Sequence, residues 1–327
     1  MINIAMLSKW HVHADDYAGQ ALKMNDKVKI SAIWDEDADR GKQWAIELGV
    51  EFYPTYQEIL ALKNIDAIIC NTPTTMHREI LCAAAKAGKH IFTEKMLACT
   101  AEDAEAIAEE VLKSGVLFVI SHPLTSNAVI RRTKKLMYSG KLGKISCVRF
   151  RRSHGGVSDN WLPERWYDVE ASGGGAMMDL GAHPVYILDY LCGEPKSISS
   201  AFSNIYGTSS DESAVALLQY ENGVIGLAET AFVTYGVPDI LEVYGSDGYL
   251  LSHGNDLKII AKEKDENGVT LESGEELAAE LNSDQIDDPF TRFIHCLENK
   301  ALAPTELNID TALICSKVMA QIYKNAI

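Results

Sequence analysis

The strongest constraint on this chain is a repeated pattern in its first part. Short apolar runs at residues 2–7, 29–34, 66–70, 90–93 and 116–120 alternate with Ala- and Glu-rich stretches at 36–48, 75–87 and 101–113. Short strands separated by helices are βαβ units, and right-handed crossovers then wind helices onto both faces of a parallel sheet. Gly49, Gly88 and Gly115 stand where the helical stretches should stop, because glycine adopts the left-handed conformation of a helix end at little cost. The pattern predicts a doubly wound dinucleotide-binding domain over residues 1–121.

After residue 121 the rhythm changes. A helix near 127–139 leads to a strand near 145–152, then to a polar loop and a triple-glycine segment. From 197 to about 260 strands follow one another, with turn signals at Glu221-Asn222-Gly223, Ser246-Asp247-Gly248 and His253-Gly254-Asn255. Such spacing predicts a mostly antiparallel sheet. Helical patterns near 288–298 and 310–325 close the chain. The expected fold class is α/β: an N-terminal Rossmann doubly wound parallel sheet, then a C-terminal α+β domain over 122–327 with a large, mostly antiparallel open sheet. The closing helices are assigned to the second domain, with the option of packing back on the first.

Composition narrows the partners. The 327 residues carry a formal net charge of −16 and are 47% hydrophobic, which suits globular domains and disfavours nucleic acid or an anionic membrane. No apolar run reaches the ~18 residues of a membrane span, and the N-terminus does not read as a signal peptide. The seven cysteines are odd in number and form no Cys-x-x-Cys pair, which is reduced, intracellular usage. A cytoplasmic protein is expected.

The strand tips carry the candidate chemistry. Asp35 ends the second strand, where a carboxylate can accept the ribose diol of an adenosine and repel a 2′-phosphate. Glu36, Asp37 and Asp39 deepen that repulsion, so NAD is expected over NADP. The first loop, Leu7-Ser8-Lys9-Trp10-His11-Val12-His13, has no glycine. It lacks the Gly-x-Gly-x-x-Gly fingerprint, leaving the helix N-terminus, Ser8 and Lys9 to meet a pyrophosphate. Thr72-Pro73 and Lys95 lie at further strand tips. His11-x-His13 has too few partners at useful spacing for a metal site, and none is expected. In the second half, Gly173-Gly174-Gly175 opens a predicted helix carrying Asp179 and His183, four residues apart and so on one face. An imidazole beside a carboxylate is a proton-handling pair. Pro184 should bend that helix. His122, His154, Trp161 and Trp166 are candidate substrate contacts, since sugar sites pair aromatic walls with hydrogen-bonding groups.

These residues together resemble the Gfo/Idh/MocA-type family of glucose–fructose oxidoreductase, inositol dehydrogenases and relatives. The carriers are Trp34-Asp35, Thr72-Pro73 with His77, Ala87-Gly88-Lys89-His90 leading to Glu94-Lys95, and the triple glycine with Asp179, Gly181 and His183. The resemblance implies bound NAD(H) or NADP(H), a sugar, polyol or related substrate, and dimers or tetramers formed through the second sheet. It implies catalytic roles for Lys95, Asp179 and His183. The expected cofactor set is Ser8, Trp10, His13, Asp35, Arg40, Thr72, Pro73, His77, Glu94 and Lys95. Three departures stand out: the missing glycines in a loop about two residues short, Met96 in place of Pro, and Tyr186 where many members carry Asp.

The expected activity is an NAD(H)-dependent oxidoreductase that interconverts a secondary alcohol and a ketone on a sugar, polyol, inositol or sugar acid. His183 serves as base, Asp179 orients the ring or binds a neighbouring hydroxyl, and Lys95 stabilises alkoxide charge. Two rivals are a glycosidase-like cycle with transient sugar oxidation by held NAD, and a non-catalytic sugar-responsive regulator.

Overall fold

The computed structural model describes residues 1–264, 270–276 and 281–326. The chain forms two units, Met1–His122 with Asp287–Lys317, and Pro123–Ile286 with Val318–Ile327. The first begins with β1 (Ile2–Leu7), α1 (Ala14–Lys23), β2 (Val28–Trp34), α2 (Ala38–Leu48), β3 (Glu51–Phe52) and α3 (Tyr56–Ala61). It continues through β4 (Ala67–Cys70), α4 (His77–Lys86), β5 (His90–Thr93), α5 (Ala101–Ser114) and β6 (Phe118–Ile120). The second unit holds α6 (Ala128–Tyr138), β7 (Ile145–Ser153), α7 (Val169–Ser172), α8 (Ala176–Asp179), α9 (Ala182–Cys192) and β8 (Ser197–Ser203). Its remaining strands are β9 (Ser213–Gln219), β10 (Ile225–Ala231), β11 (Ile240–Gly245), β12 (Gly248–His253), β13 (Asp256–Lys264) and β14 (Thr270–Glu276). Last come α10 (Pro289–Asn299) and α11 (Ile309–Lys324).

In the first unit all six strands are parallel, in the order β3-β2-β1-β4-β5-β6. Every residue of β4 is buried, as expected of a parallel strand covered on both faces. On one face Leu7, Trp34, Ile68 and Ile91 pack among α3, α4 and α5 residues such as Ile59, Ile80 and Ile107. On the other, Met6, Ile33, Ile69 and Phe92 meet Tyr17 of α1, Trp44 of α2, and Phe290 and Phe293 of α10. Thus α10, and α11 up to Lys317, belong to the first unit. Asp37 and Thr100 cap α2 and α5 through their side chains, satisfying amides that a helix start leaves open. Gly49 and Gly115 end the same helices at φ +67° and +68°.

The second unit is an eight-stranded sheet in the order β14-β13-β12-β11-β7-β10-β9-β8. It is antiparallel except for the β7–β10 pair. All three turn signals fall between consecutive strands. Val148, Phe150, Ala216 and Leu218 lie on the buried face, while Arg149, Val215, Leu217 and Tyr244 lie on the opposite one. Among the described residues no helix is long and apolar enough to cross a membrane.

Candidate active site

In a parallel sheet all carboxyl ends share one edge, and ligands collect where the strand order reverses. Here that point is β1, flanked by β2 and β4. The residues directly following β1, β2, β4 and β5 are Ser8, Asp35, Asn71 and Glu94. Ser8 is buried and adopts φ +72°, a left-handed conformation that costs a non-glycine residue about 1–2 kcal/mol. The loop therefore keeps a turn suited to glycine without the residue. Its amides are spent internally. Lys9 N–H donates to Asp35 Oδ2 at 2.8 Å, Trp10 N–H to Ser8 Oγ at 2.9 Å, and His11 N–H to the Asn71 carbonyl at 3.1 Å.

Asp35 does not stand open. Arg40 grips it with Nε at 3.0 Å and Nη2 at 2.6 Å, and Asp37 N–H adds a bond at 2.8 Å. With the Lys9 amide, four donors fill the roughly four acceptor sites of the carboxylate. The Asp35 side chain is 0% exposed while that of Arg40 is 26% exposed. This corrects the expected direct contact: Arg40 covers the carboxylate, so the outward group here is a guanidinium that also binds Glu36 Oε1 at 2.6 Å.

Glu94 is a hub. Its buried carboxylate accepts from Tyr17 Oη, from His13 Nδ1 at 3.1 Å and from Lys95 N–H at 3.1 Å, and His11 Nε2 stands 3.5 Å away. Burial acts to raise its pKa, yet the His11 and His13 imidazoles and the Lys95 ammonium hold it well below the ordinary range. The His11, His13 and Glu94 donor atoms lie within 4.8 Å of one another, a spacing that invites a metal reading. The bond from His13 N–H to His11 Nδ1 at 3.2 Å opposes it. A neutral His11 then carries its proton on Nε2, whereas a metal ligand donates from its other nitrogen.

Behind the hub, His77 ties two strand tips together. Its buried ring reaches the Leu97 carbonyl through Nδ1 and the Thr72 carbonyl through Nε2, both at 3.2 Å. Burial lowers its pKa. His77 therefore fastens the segment carrying Lys95 to the Thr72-Pro73 loop and is enclosed itself. Lys95 is 6% exposed, and its peptide bond to Met96 is cis. His122 is fully buried, with Nδ1 at 3.4 Å from the Glu306 carbonyl, and burial pushes its pKa down to about 3. Against expectation it offers no surface to a substrate.

In the second unit the triple glycine is a packing device. Gly173 sits at φ +81°. A Cβ on Gly174 would lie 2.5 Å from Tyr323 Oη, and one on Gly175 would lie 2.1 Å from the Asp211 carbonyl oxygen. Asp211 accepts Gly175 N–H at 3.0 Å, Met177 N–H at 2.7 Å and the Tyr323 hydroxyl at 2.8 Å. The start of α8 is thereby clamped by residues far away in sequence.

The predicted single helix is two. Asp179 ends α8 and His183 is the second residue of α9. Pro184 has no N–H for the Leu180 carbonyl, and His183 N–H takes it instead at 3.2 Å. One turn earlier Gly181 N–H reaches back to the Ala176 carbonyl at 2.8 Å. A wide turn followed by a tight one breaks the ladder at Gly181, ahead of the proline rather than around it. The buried His183 ring places Nδ1 2.7 Å from Tyr186 Oη, which also accepts Leu124 N–H at 3.2 Å.

Leu180, between Asp179 and His183, lines a cavity of 390 Å³ within the second unit. Its walls include Phe150 and Leu241, with Asn127, Arg152, His154 and Asp239 as polar groups. His154 stacks on Phe232 at 5.2 Å and accepts Gly156 N–H at 3.0 Å through Nδ1. Trp161 is 57% exposed and tilts against His154. Trp166 is 3% exposed, which makes it an anchor for its loop and corrects its expected role as a substrate wall.

The first unit suits a dinucleotide. Asn71, at the β4 tip, is fully buried, and both its amide atoms lack a hydrogen-bond partner. Buried amides are ordinarily satisfied, so an open one at the switch point favours a polar ligand. No side chain caps α1, whose N-terminus can face a phosphate. Sequence reasoning passed over Asn71, Asp211 and Tyr323; only Asn71 carried a local signal, its place before Thr72-Pro73.

Residues 11–122 match the oxidoreductase family with an NAD-binding Rossmann fold, and residues 130–251 match the GFO/IDH/MocA C-terminal domain. The chain is 27% identical over 249 residues to a myo-inositol 2-dehydrogenase of Thermotoga maritima, covering 74% of this chain and 71% of the relative. It is 25% identical over 256 residues to a 1,5-anhydro-D-fructose reductase of Ensifer adhaerens, covering 76% and 73%. A similar fold occurs in the WlbA dehydrogenase of Bordetella pertussis, solved with NADH and UDP-GlcNAcA, at TM-score 0.85, 20% identity and coverage of 99% and 95%. With both of its domains matched, this chain belongs to the GFO/IDH/MocA family of NAD-binding oxidoreductases.

Proposed function

We propose that the protein is an NAD(H)-dependent dehydrogenase or reductase acting on a secondary alcohol of a sugar, polyol or sugar acid. The observation that carries this reading is His183, a buried imidazole held at Nδ1 by Tyr186, on the segment whose Leu180 lines a cavity with polar groups. Bound NAD supplies the hydride acceptor. His183 takes the hydroxyl proton at Nε2, since Nδ1 is engaged. Lys95 is assigned the stabilisation of developing alkoxide charge, and Asp179 the binding of a neighbouring hydroxyl. His13, Asn71, Thr72, Pro73 and Glu94 serve the cofactor, with Ser8 and Trp10 shaping the loop and Arg40 facing the adenosine ribose. Asp35, Glu36, Asp37, Asp39 and Arg40 sum to a charge of −3, which favours NAD over NADP. His154 and Trp161 contact substrate.

We infer homodimers or homotetramers through the outer sheet face, where Val215, Leu217, Ile225 and Tyr244 are 36–39% exposed. The seven free thiols accord with a cytoplasmic setting. The deciding assay follows reduced-nicotinamide absorbance over sugars, inositols and sugar acids with NAD and NADP in parallel. Turnover with NAD, lost at least about 100-fold in His183→Ala and Lys95→Ala, is expected. Full activity in both variants would defeat the reading. Substrate cleavage with no bulk absorbance change would select the glycosidase-like cycle.

A further inference from the structure

We propose that Arg152 and Asp239 are the specificity-determining pair of the cavity in the second unit, selecting a neutral polyhydroxyl substrate over a sugar acid. The inference rests on the sugar dehydrogenase reading above and narrows it. Phe150 and Arg152 stand two residues apart on β7 and so share one face of the strand, and both line the cavity. β11 runs antiparallel to β7 with Ile240 opposite Arg151. Asp239, one residue earlier, therefore falls beside Arg152, and Arg152 Nη1 donates to Asp239 Oδ2 at 2.7 Å. Gly254 N–H fixes the Asp239 backbone by donating to its carbonyl at 2.7 Å. The cavity measures 390 Å³, and apart from the His154 imidazole these two side chains are the only titratable ones among the described residues that line it. Their charges cancel, so the pair offers no net field to draw an anion.

The pair keeps capacity for further partners. On the opposite face of the sheet, Arg149 spends Nε and Nη2 on Glu229 and Nη1 on Glu242. Among the described residues Arg152 makes one hydrogen bond, and it leaves Asp239 Oδ1 without a donor. Burial raises the Asp239 pKa against the pull of Arg152, as expected of a carboxylate with fewer donors than water would give it. A hydroxyl both donates and accepts. One hydroxyl of a diol can therefore donate to Asp239 Oδ1 while its neighbour accepts from an Arg152 N–H. A carboxylate can use only the arginine, and there it meets the Asp239 charge.

The test pairs neutral sugars with acids of the same skeleton, D-glucose with D-glucuronate and D-galactose with D-galacturonate, with myo-inositol as a further neutral probe. Binding to the full chain loaded with NADH is measured by calorimetry, and turnover with NAD by absorbance. In the wild type the neutral member of a pair is expected to bind about tenfold or more tightly than the acid. Asp239→Asn removes the charge and keeps the shape, and it is expected to improve binding of the acids about tenfold by releasing Arg152. Tighter binding of the acids in the wild type, an unchanged neutral-to-acid ratio in Asp239→Asn, or no binding of any neutral probe would overturn the inference. Turnover of acids alone would remove this inference and leave the dehydrogenase reading intact. Neutral probes that bind with the expected ratios but give no nicotinamide turnover would support the pair and count against that reading.

Discussion

The Asp35 carboxylate lies under the Arg40 guanidinium, joined by bonds of 3.0 and 2.6 Å on its two oxygens. A tip acid that looks in sequence like an open ribose acceptor is an internal counter-ion. Removing Arg40 would expose how much of the loop it holds. Arg40→Ala leaves a buried carboxylate with only the Lys9 and Asp37 amides. Stability is expected to fall by about 2 kcal/mol, below the 3–5 kcal/mol of a fully buried pair because Arg40 is partly exposed and two bonds remain. Urea unfolding measures it. NADP binding should not improve, since the site becomes more negative.

Ser8 offers a sharper test of backbone strain. It pays for a left-handed φ of +72° but accepts Trp10 N–H. Ser8→Ala keeps the strain and loses the bond. Ser8→Gly loses the bond and the strain together. The glycine variant is expected to be more stable than the alanine variant by about 1 kcal/mol, read from denaturation midpoints. Equal stability of the two would mean that the turn relaxes.

These two positions also mark how far the chain could be read unaided. Parallel strands, helix stops and hairpin turns follow from apolar runs and from glycines whose positive φ is a local property, as at Gly49 and Gly115. The edge strand β3 was missed because Glu51–Phe52 is only two residues, too short for any period. The break at Gly181 was misplaced because Pro184 is visible in sequence while the Gly181–Ala176 bond is not. The grip of Asp211 and Tyr323 on the glycine loop spans up to 148 residues, and no local pattern encodes a partner at that distance.

His122 makes stability depend on pH. Burial pushes its pKa from the ordinary 6.5 down to about 3 in the folded chain. Below 6.5 the unfolded chain takes up a proton that the folded chain refuses. Its contribution is therefore fully present above pH 6.5 and is lost as pH falls toward 3. Between pH 7 and pH 5 this amounts to on the order of 2 kcal/mol. His13 is shifted the other way: burial opposes it, but Glu94 raises its pKa, so its contribution fades as pH rises. The comparison must be differential. Thermal or urea unfolding of His122→Gln should show a shallower loss from pH 7 to pH 5 than the wild type, and an unchanged slope would refute the assignment.

Gly175 connects packing to chemistry. Its missing Cβ would sit 2.1 Å from a backbone oxygen of Asp211, a contact no rotamer change can relieve. Gly175→Ala must therefore push α8 away from β9 or break the bonds from Gly175 and Met177 to Asp211. Overpacking of this kind costs about 1–3 kcal/mol. The displaced element carries Asp179 and leads directly into α9 and His183. The first-unit strand tips, Ser8, Asn71 and Glu94, are separate from it in the chain. NADH affinity, followed by nicotinamide fluorescence, is therefore expected to stay within about threefold while kcat falls by about tenfold or more, because small misplacements of reacting groups are costly. Loss of NADH affinity in step with kcat would instead show that the glycine loop supports the cofactor, and would reassign the segment.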